Sequence, residues 1–269
     1  MNRIERKFTS AKDKNKKCLI SYITGGDPDL ETSLEIMHTL VSSGTDIIEL
    51  GVPFSDPIAD GPVIQKACER ALSQNTSCKD ILELITLFRE KDNETPIILM
   101  GYLNPIEIMG YENFSKQAQS AGADGVLVVD LPYEEAANIV DIFRSYNLDS
   151  IFLVAPNTKN ERIEKIMNFS SGFLYYVSLK GVTGAPTLNL DETLNKLDEI
   201  KKFTKLPLAV GFGINDPESA RLLSKHADAV VVGSAIIKII EKNINNRENI
   251  CKGISSLLLS IRSKLDEGG

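Results

Sequence analysis

Short runs of aliphatic and β-branched residues alternate with helix-length amphipathic segments along the whole chain, and no linker or low-complexity stretch interrupts the rhythm. The apolar runs are Cys18–Ile23, Asp46–Leu50, Ile97–Gly101, Gly125–Val129, Ser150–Val154, Phe173–Val177, Leu208–Val210 and Ala229–Val232. Between them the spacing predicts helices over Leu30–Ser43, Pro62–Ser73, Cys78–Lys91, Glu112–Ala121, Tyr133–Tyr146, Asn160–Asn168, Leu190–Phe203 and Pro217–Lys225. Strands that are apolar almost throughout are covered on both faces, the mark of a parallel sheet wrapped in helices. Eight of them in 269 residues predict a single-domain (β/α)8 TIM barrel over residues 1–269. A doubly wound sheet is the alternative, but Gly211-Phe212-Gly213 continues as Ile214-Asn215-Asp216 and lacks the third glycine of a dinucleotide fingerprint.

Punctuation supports the frame. Asp216-Pro217 reads as an N-cap followed by proline at the first helical position, and Asp27-Pro28 as the turn before the first barrel helix. Asn2–Ala11 predicts an extra N-terminal helix closing the barrel bottom, and Ile236–Leu265 a long C-terminal helix.

Composition narrows the function. The net charge is −7 and the one basic cluster, Lys12 to Lys17, is interrupted by Asp13 and Asn15, so no nucleic-acid stripe is present. The longest stretch free of Asp, Glu, Lys and Arg is Ile166–Leu179, fourteen residues, against the ~20 a membrane span needs. The N-terminus has charged residues and no apolar core, so no signal peptide is expected. Cys18, Cys68, Cys78 and Cys251 form no C-x-x-C pair and read as free thiols of a cytoplasmic protein. His38 and His226 alone cannot build a metal site, and none is expected.

In a barrel the chemistry sits at the C-terminal ends of the strands. There the second strand ends Ile47-Ile48-Glu49-Leu50-Gly51. An acid between Ile48 and Leu50 is costly to ionise, which raises its pKa toward the range useful for proton transfer; pairing with a Lys or Arg is the bland alternative. Alternation puts Glu49 on the face of Ile47, and Tyr175 on that of Phe173 and Val177, both toward the barrel mouth. Asp60, in the long loop Gly51–Pro62, reads either as a helix N-cap or as a second carboxylate working with Glu49. Gly181-Val182-Thr183-Gly184, Gly211-Phe212-Gly213 and Gly233-Ser234 follow strands six, seven and eight. The last of these opens a short extra helix, Ala235–Ile240, where barrels often hold phosphate.

The run Ile48-Glu49-Leu50-Gly51-Val52-Pro53-Phe54-Ser55-Asp56-Pro57-Ile58-Ala59-Asp60-Gly61-Pro62-Val63-Ile64-Gln65 resembles the signature of the tryptophan synthase alpha chain family. The likeness extends from Tyr22-Ile23-Thr24-Gly25-Gly26-Asp27-Pro28 through Gly101-Tyr102-Leu103-Asn104-Pro105 and Tyr175-Tyr176-Val177-Ser178 to Gly233-Ser234-Ala235. The resemblance implies a retro-aldol lyase that cleaves 1-C-(indol-3-yl)glycerol 3-phosphate to indole and D-glyceraldehyde 3-phosphate in tryptophan biosynthesis, with no cofactor in this chain. It implies Glu49 as the general acid–base, Asp60 as the acceptor of the indole N–H and Tyr175 beside them. Gly184, Gly213, Gly233 and Ser234 would hold phosphate, Tyr22, Met100, Tyr102 and Phe212 would border the indole, and Thr183 would serve loop closure. It also implies a pyridoxal-phosphate-dependent beta chain as partner in an α2β2 heterotetramer. A free-standing indole-glycerol-phosphate lyase is the alternative, and a Schiff-base aldolase on Lys180 a remoter one. The sequence departs from the family pattern at Tyr22, where phenylalanine is expected, and at Ser178-Leu179-Lys180, where an Arg-Thr pair often precedes the glycine.

Overall fold

The computed structural model describes residues 1–177, 190–211 and 213–267. Eight strands run in parallel and close in sequence order: β1 (Cys18–Thr24), β2 (Ile47–Gly51), β3 (Ile97–Gly101), β4 (Gly125–Val128), β5 (Asp149–Val154), β6 (Leu174–Val177), β7 (Leu208–Gly211) and β8 (Ala229–Val232), which pairs back onto β1. This is the expected TIM barrel.

The inward positions follow the alternation of the strands. Ile20, Ile47, Ile98, Leu127, Ile151, Phe173, Ala209 and Val231 pack together inside the barrel. Helix α1 (Arg3–Asp13) closes its lower end, as the sequence predicts: Ile4 and Phe8 belong to the same interior cluster, and the Phe8 ring lies 5.7 Å from that of Phe173. The outward residues, such as Ile23, Leu50 and Val230, pack against the surrounding helices in a second, larger cluster.

Those helices are α2 (Leu30–Ser42), α3 (Pro62–Ser73), α4 (Cys78–Arg89), α5 (Leu103–Met109), α6 (Tyr111–Ala121), α7 (Ala137–Ser145), α8 (Asn160–Met167), α9 (Leu190–Ile200), α10 (Pro217–Ser224), α11 (Ser234–Lys242) and α12 (Arg247–Asp266). The Asp216 carboxylate caps α10 by accepting the Ser219 N–H at 2.9 Å. Most boundaries fall within a few residues of expectation, and three elements depart further. Helix α5 has no counterpart in the sequence reading; it ends at Gly110, whose φ of +79° turns the chain into α6 at little steric cost. The predicted Tyr133–Tyr146 helix begins as a separate 3-10 turn, Tyr133–Glu135, before α7. The predicted Ile236–Leu265 helix is two helices, because Asn246 leaves the helical conformation and caps α12 through the Asn249 N–H at 3.0 Å.

A partly buried ion pair ties α3 to the barrel. Asp27, 1% exposed, accepts Arg70 Nε at 2.7 Å and Nη2 at 2.8 Å, joining the end of β1 to the helix that follows the β2 loop. All four cysteines are free. His38 stacks on Phe88 at 4.9 Å between α2 and α4, and His226 Nδ1 lies 2.8 Å from Asp198, both remote from the strand C-termini. No helix among the described residues is long and apolar enough to cross a membrane.

Candidate active site

Glu49 stands on β2 between Tyr22 of β1 and Ile98 of β3 in the strand register. It is fully buried, and neither carboxylate oxygen has a hydrogen-bond partner among the described residues. The alternative of a salt-bridged glutamate is therefore not met by any described cation. Burial alone pushes its pKa up to about 8. With that value, roughly nine-tenths of the molecules carry the proton at about pH 7. A carboxylic acid held neutral in an apolar strand, at the mouth of a barrel, is a proton donor in waiting.

Asp60 arrives from the β2 loop. Its candidate role as helix cap fails: the N-cap of α3 is Gly61, which makes no side-chain cap bond, and Pro62 follows at the first turn. The carboxylate turns instead toward the barrel. Tyr102, just past β3, donates its phenol O–H to Asp60 Oδ2 at 2.9 Å, and the same phenol oxygen accepts the Ala59 N–H at 3.0 Å. One tyrosine thus grips both the acid and the backbone beside it. Gln65 Nε2 adds a bond to the Asp60 carbonyl at 2.8 Å, and the Phe54 ring lies 5.1 Å from that of Tyr102. Burial raises the Asp60 pKa, while the Tyr102 hydrogen bond to the charged form pulls the other way.

Tyr175 reaches the same place from β6. It is 8% exposed, and its phenol is held well above its ordinary pKa by burial first, then by the nearby charges of Glu49 and Asp60. Its hydroxyl fills the space where a Cβ at Gly211 would stand, and the Tyr22 hydroxyl does the same at Gly51. Both glycines at strand ends are explained by a tyrosine from the neighbouring strand. Tyr22 is buried, 3.2 Å from the Thr24 hydroxyl, with Glu49 and Asp60 among the charges acting on its phenol. Met100, half-buried on β3, packs on the interior cluster.

The phosphate candidates lie at the next strands round the barrel. Gly213 has φ +61°, a conformation that favours glycine, and no atom of the described residues lies within 4 Å of where a Cβ would project. Gly233 precedes α11, and a Cβ there would sit 3.3 Å from Tyr22 Cβ. Ser234 is the first residue of α11, where the opening amides of a helix have no intrahelical partner. Gly184, Thr183, Phe212 and Lys180 lie outside the described residues, so the strand-six part of the candidate site, Phe212 and the Schiff-base alternative have no structural description. The described residues hold no group of three metal-ligating side chains. The bridge from Tyr102 to Asp60 and the Gln65 anchor carry no signal in the sequence. Tyr102 and Asp60 are 42 positions apart, and no local pattern signals such a contact.

A family model described as tryptophan synthase alpha chain matches residues 8–263. The tryptophan synthase alpha chain of Nitrosococcus oceani is 52% identical over 266 residues, covering 99% of this chain and 98% of the relative. That of Thioalkalivibrio sulfidiphilus is also 52% identical, covering 99% and 100%. Among solved structures, tryptophan synthase subunit alpha from Legionella pneumophila superposes with a TM-score of 0.93 at 46% identity, covering 99% of each chain. A chain of the tryptophan synthase complex from Pyrococcus furiosus gives 0.82 at 37% identity, covering 91% of this chain and 98% of that one.

Proposed function

The chain belongs to the tryptophan synthase alpha chain family, and from that membership and the chemistry of the barrel mouth we propose how it cleaves 1-C-(indol-3-yl)glycerol 3-phosphate. The bond to be broken joins indole C3 to the glycerol carbon that bears a hydroxyl. Its electron pair has nowhere to go until C3 is protonated and the ring becomes a cationic indolenine. Glu49, carrying its proton, delivers it to C3. Asp60, ionised, accepts the indole N–H through the oxygen that Tyr102 leaves free and balances the positive charge on the ring. The Glu49 carboxylate then takes the proton of the glycerol hydroxyl. The C–C bond breaks, its electrons return to the ring, and the products are neutral indole and D-glyceraldehyde 3-phosphate, with Glu49 protonated again. Tyr175 packs beside both acids and keeps water from them. The substrate phosphate is assigned to Gly213, Gly233 and Ser234, with Gly184 completing it, and the indole to Tyr22, Met100, Tyr102 and Phe212.

The observation that carries this reading is Glu49: a fully buried acid without a partner among the described residues, held neutral by its surroundings at the strand end facing Asp60 and Tyr175. The test is indole release by Glu49→Gln and Asp60→Asn alongside substrate binding by equilibrium dialysis. An acid–base group is worth ~10²–10⁴ in rate. Both variants are expected to bind substrate and to lose turnover by that factor; retention of near-normal turnover by Glu49→Gln removes it from the mechanism.

The partner is a tryptophan synthase beta chain, with its pyridoxal phosphate, in an α2β2 assembly. The β2 loop supports this: Ile58 is 81% exposed, Pro53, Pro57 and Pro62 stiffen the segment, and a cleft of about 260 Å3 between Phe54, Asp56, Ile58 and Gln65 opens on its outer side. Asp60 is on that loop, so a partner that orders it also orders the acid. The cytoplasm is the compartment this biosynthetic role implies.

A further inference from the structure

The one basic stretch of the sequence takes no part in the barrel mouth. Lys12, Lys16 and Lys17 lie at the opposite end, where the turn after α1 meets the segment between α9 and β7 with its Lys201 and Lys205. These five lysines line a single cleft of about 400 Å3. Phe8, Ala11, Leu206 and Pro207 supply its apolar walls. Asp228 is the one acid lining it among the described residues.

Three of the five lysines have partners. Lys17 Nζ donates to the Ala227 carbonyl at 2.9 Å, Lys201 lies 3.5 Å from Asp228 Oδ1, and Lys16 lies 2.9 Å from Asp266 Oδ2 just outside the cleft. Lys12 and Lys205 are exposed and have no ion-pair partner among the described residues. Five ammonium groups thus face two carboxylates in a chain whose net charge is −7. The C-terminal end of α1 attracts one cation, and Lys12 in its last turn supplies it. That does not account for the convergence of four more from two further segments. Burial holds the Lys17 pKa below its ordinary value, against the pull of Asp228 and with a smaller push from Lys201.

We propose that this cleft at the N-terminal end of the barrel is a binding site for a small multivalent anion of the diphosphate class, distinct from the substrate phosphate site. Lys12 and Lys205 reach the anion from opposite sides, and Lys17 meets it from the floor. A diphosphate is available either free or as part of a nucleotide, and the apolar walls offer a surface to the latter.

The test is calorimetric titration of inorganic pyrophosphate into the full chain, with glycerol 3-phosphate saturating the substrate site, at low and at moderate salt. The wild type is expected to bind at one site, more weakly as salt rises. Lys12→Gln with Lys205→Gln should weaken binding about tenfold, whereas Lys12→Arg with Lys205→Arg should retain it. Indole release by the glutamine pair should stay at the wild-type rate. ADP as a second titrant separates the sources: tighter binding than pyrophosphate assigns the diphosphate to a nucleotide, and equal or weaker binding to the free ion. Equal pyrophosphate binding by wild type and glutamine pair, or no binding by the wild type at about 10 mM, overturns the proposal.

Discussion

Replacing Glu49 by glutamine should shift the stability difference in the variant's favour as pH rises, by a defined amount per unit. The native state holds the Glu49 proton with a pKa of about 8, against 4.5 for an unperturbed side chain. For an acid whose folded pKa is raised, the folded state binds the proton more tightly than the unfolded state. Stability is therefore greatest below the unfolded value and falls as pH rises toward the folded one. Each unit of the interval is worth about 1.4 kcal/mol, so the wild type loses about 3 kcal/mol by about pH 7 and about 5 kcal/mol above about pH 8. Glutamine matches the neutral acid in shape and does not titrate. Its unpaired amide costs ~1–3 kcal/mol, but that cost is the same at every pH. The difference in unfolding free energy between Glu49→Gln and wild type should thus rise by about 1.4 kcal/mol per unit from about pH 5 to about pH 7.5 and level off above about pH 8.5. Urea unfolding followed by far-UV circular dichroism at a series of pH values measures it, and all other titrating groups cancel in the difference. A difference that stays constant from about pH 5 to about pH 8.5 would refute the claim that burial keeps Glu49 neutral.

Three further outcomes follow from the same geometry. Tyr102→Phe removes the donor to Asp60 and the acceptor of the Ala59 N–H; a bond to a charged group is worth ~1.5–3 kcal/mol, so kcat/KM should fall about tenfold or more, and the acid limb of its pH profile should move up. An unmoved acid limb would mean that the phenol does not act on the carboxylate. Gly213→Val places a β-branched residue at φ +61°, and Gly233→Val presses a side chain on Tyr22; both should raise KM for the phosphorylated substrate more than they lower kcat, and inorganic phosphate should compete with substrate in the wild type. Unchanged KM in both variants would move the phosphate elsewhere. Titration with a cognate beta chain should raise indole release and produce a complex in sedimentation at about micromolar concentration; no complex and no rate change would favour a free-standing lyase.

What was legible in the sequence tracks the range of the interaction responsible. The barrel followed from strands apolar on both faces, and the inward side of Glu49 and Tyr175 from period-two alternation, both local patterns. The cap at Asp216 was readable for the same reason. Asp60 was not: Asp-Gly-Pro before a helix has the form of a cap, and only the Tyr102 hydroxyl, arriving from another strand, decides that the carboxylate turns to the barrel. The tyrosines at Gly51 and Gly211 were hidden likewise, since each glycine is small because of a side chain on the neighbouring strand. The break between α11 and α12 was locally encoded by Asn243, Asn245 and Asn246, but the apolar periodicity on either side masks it.

Whether Glu49 enters the reaction protonated, as proposed, is read from the pH dependence of kcat/KM for indole release. The rate should fall about tenfold per unit above about pH 8, as the buried acid loses its proton in the free enzyme. A rate that stays level or climbs through about pH 9.5 would contradict it, because the group acting on C3 would then not be a neutral Glu49.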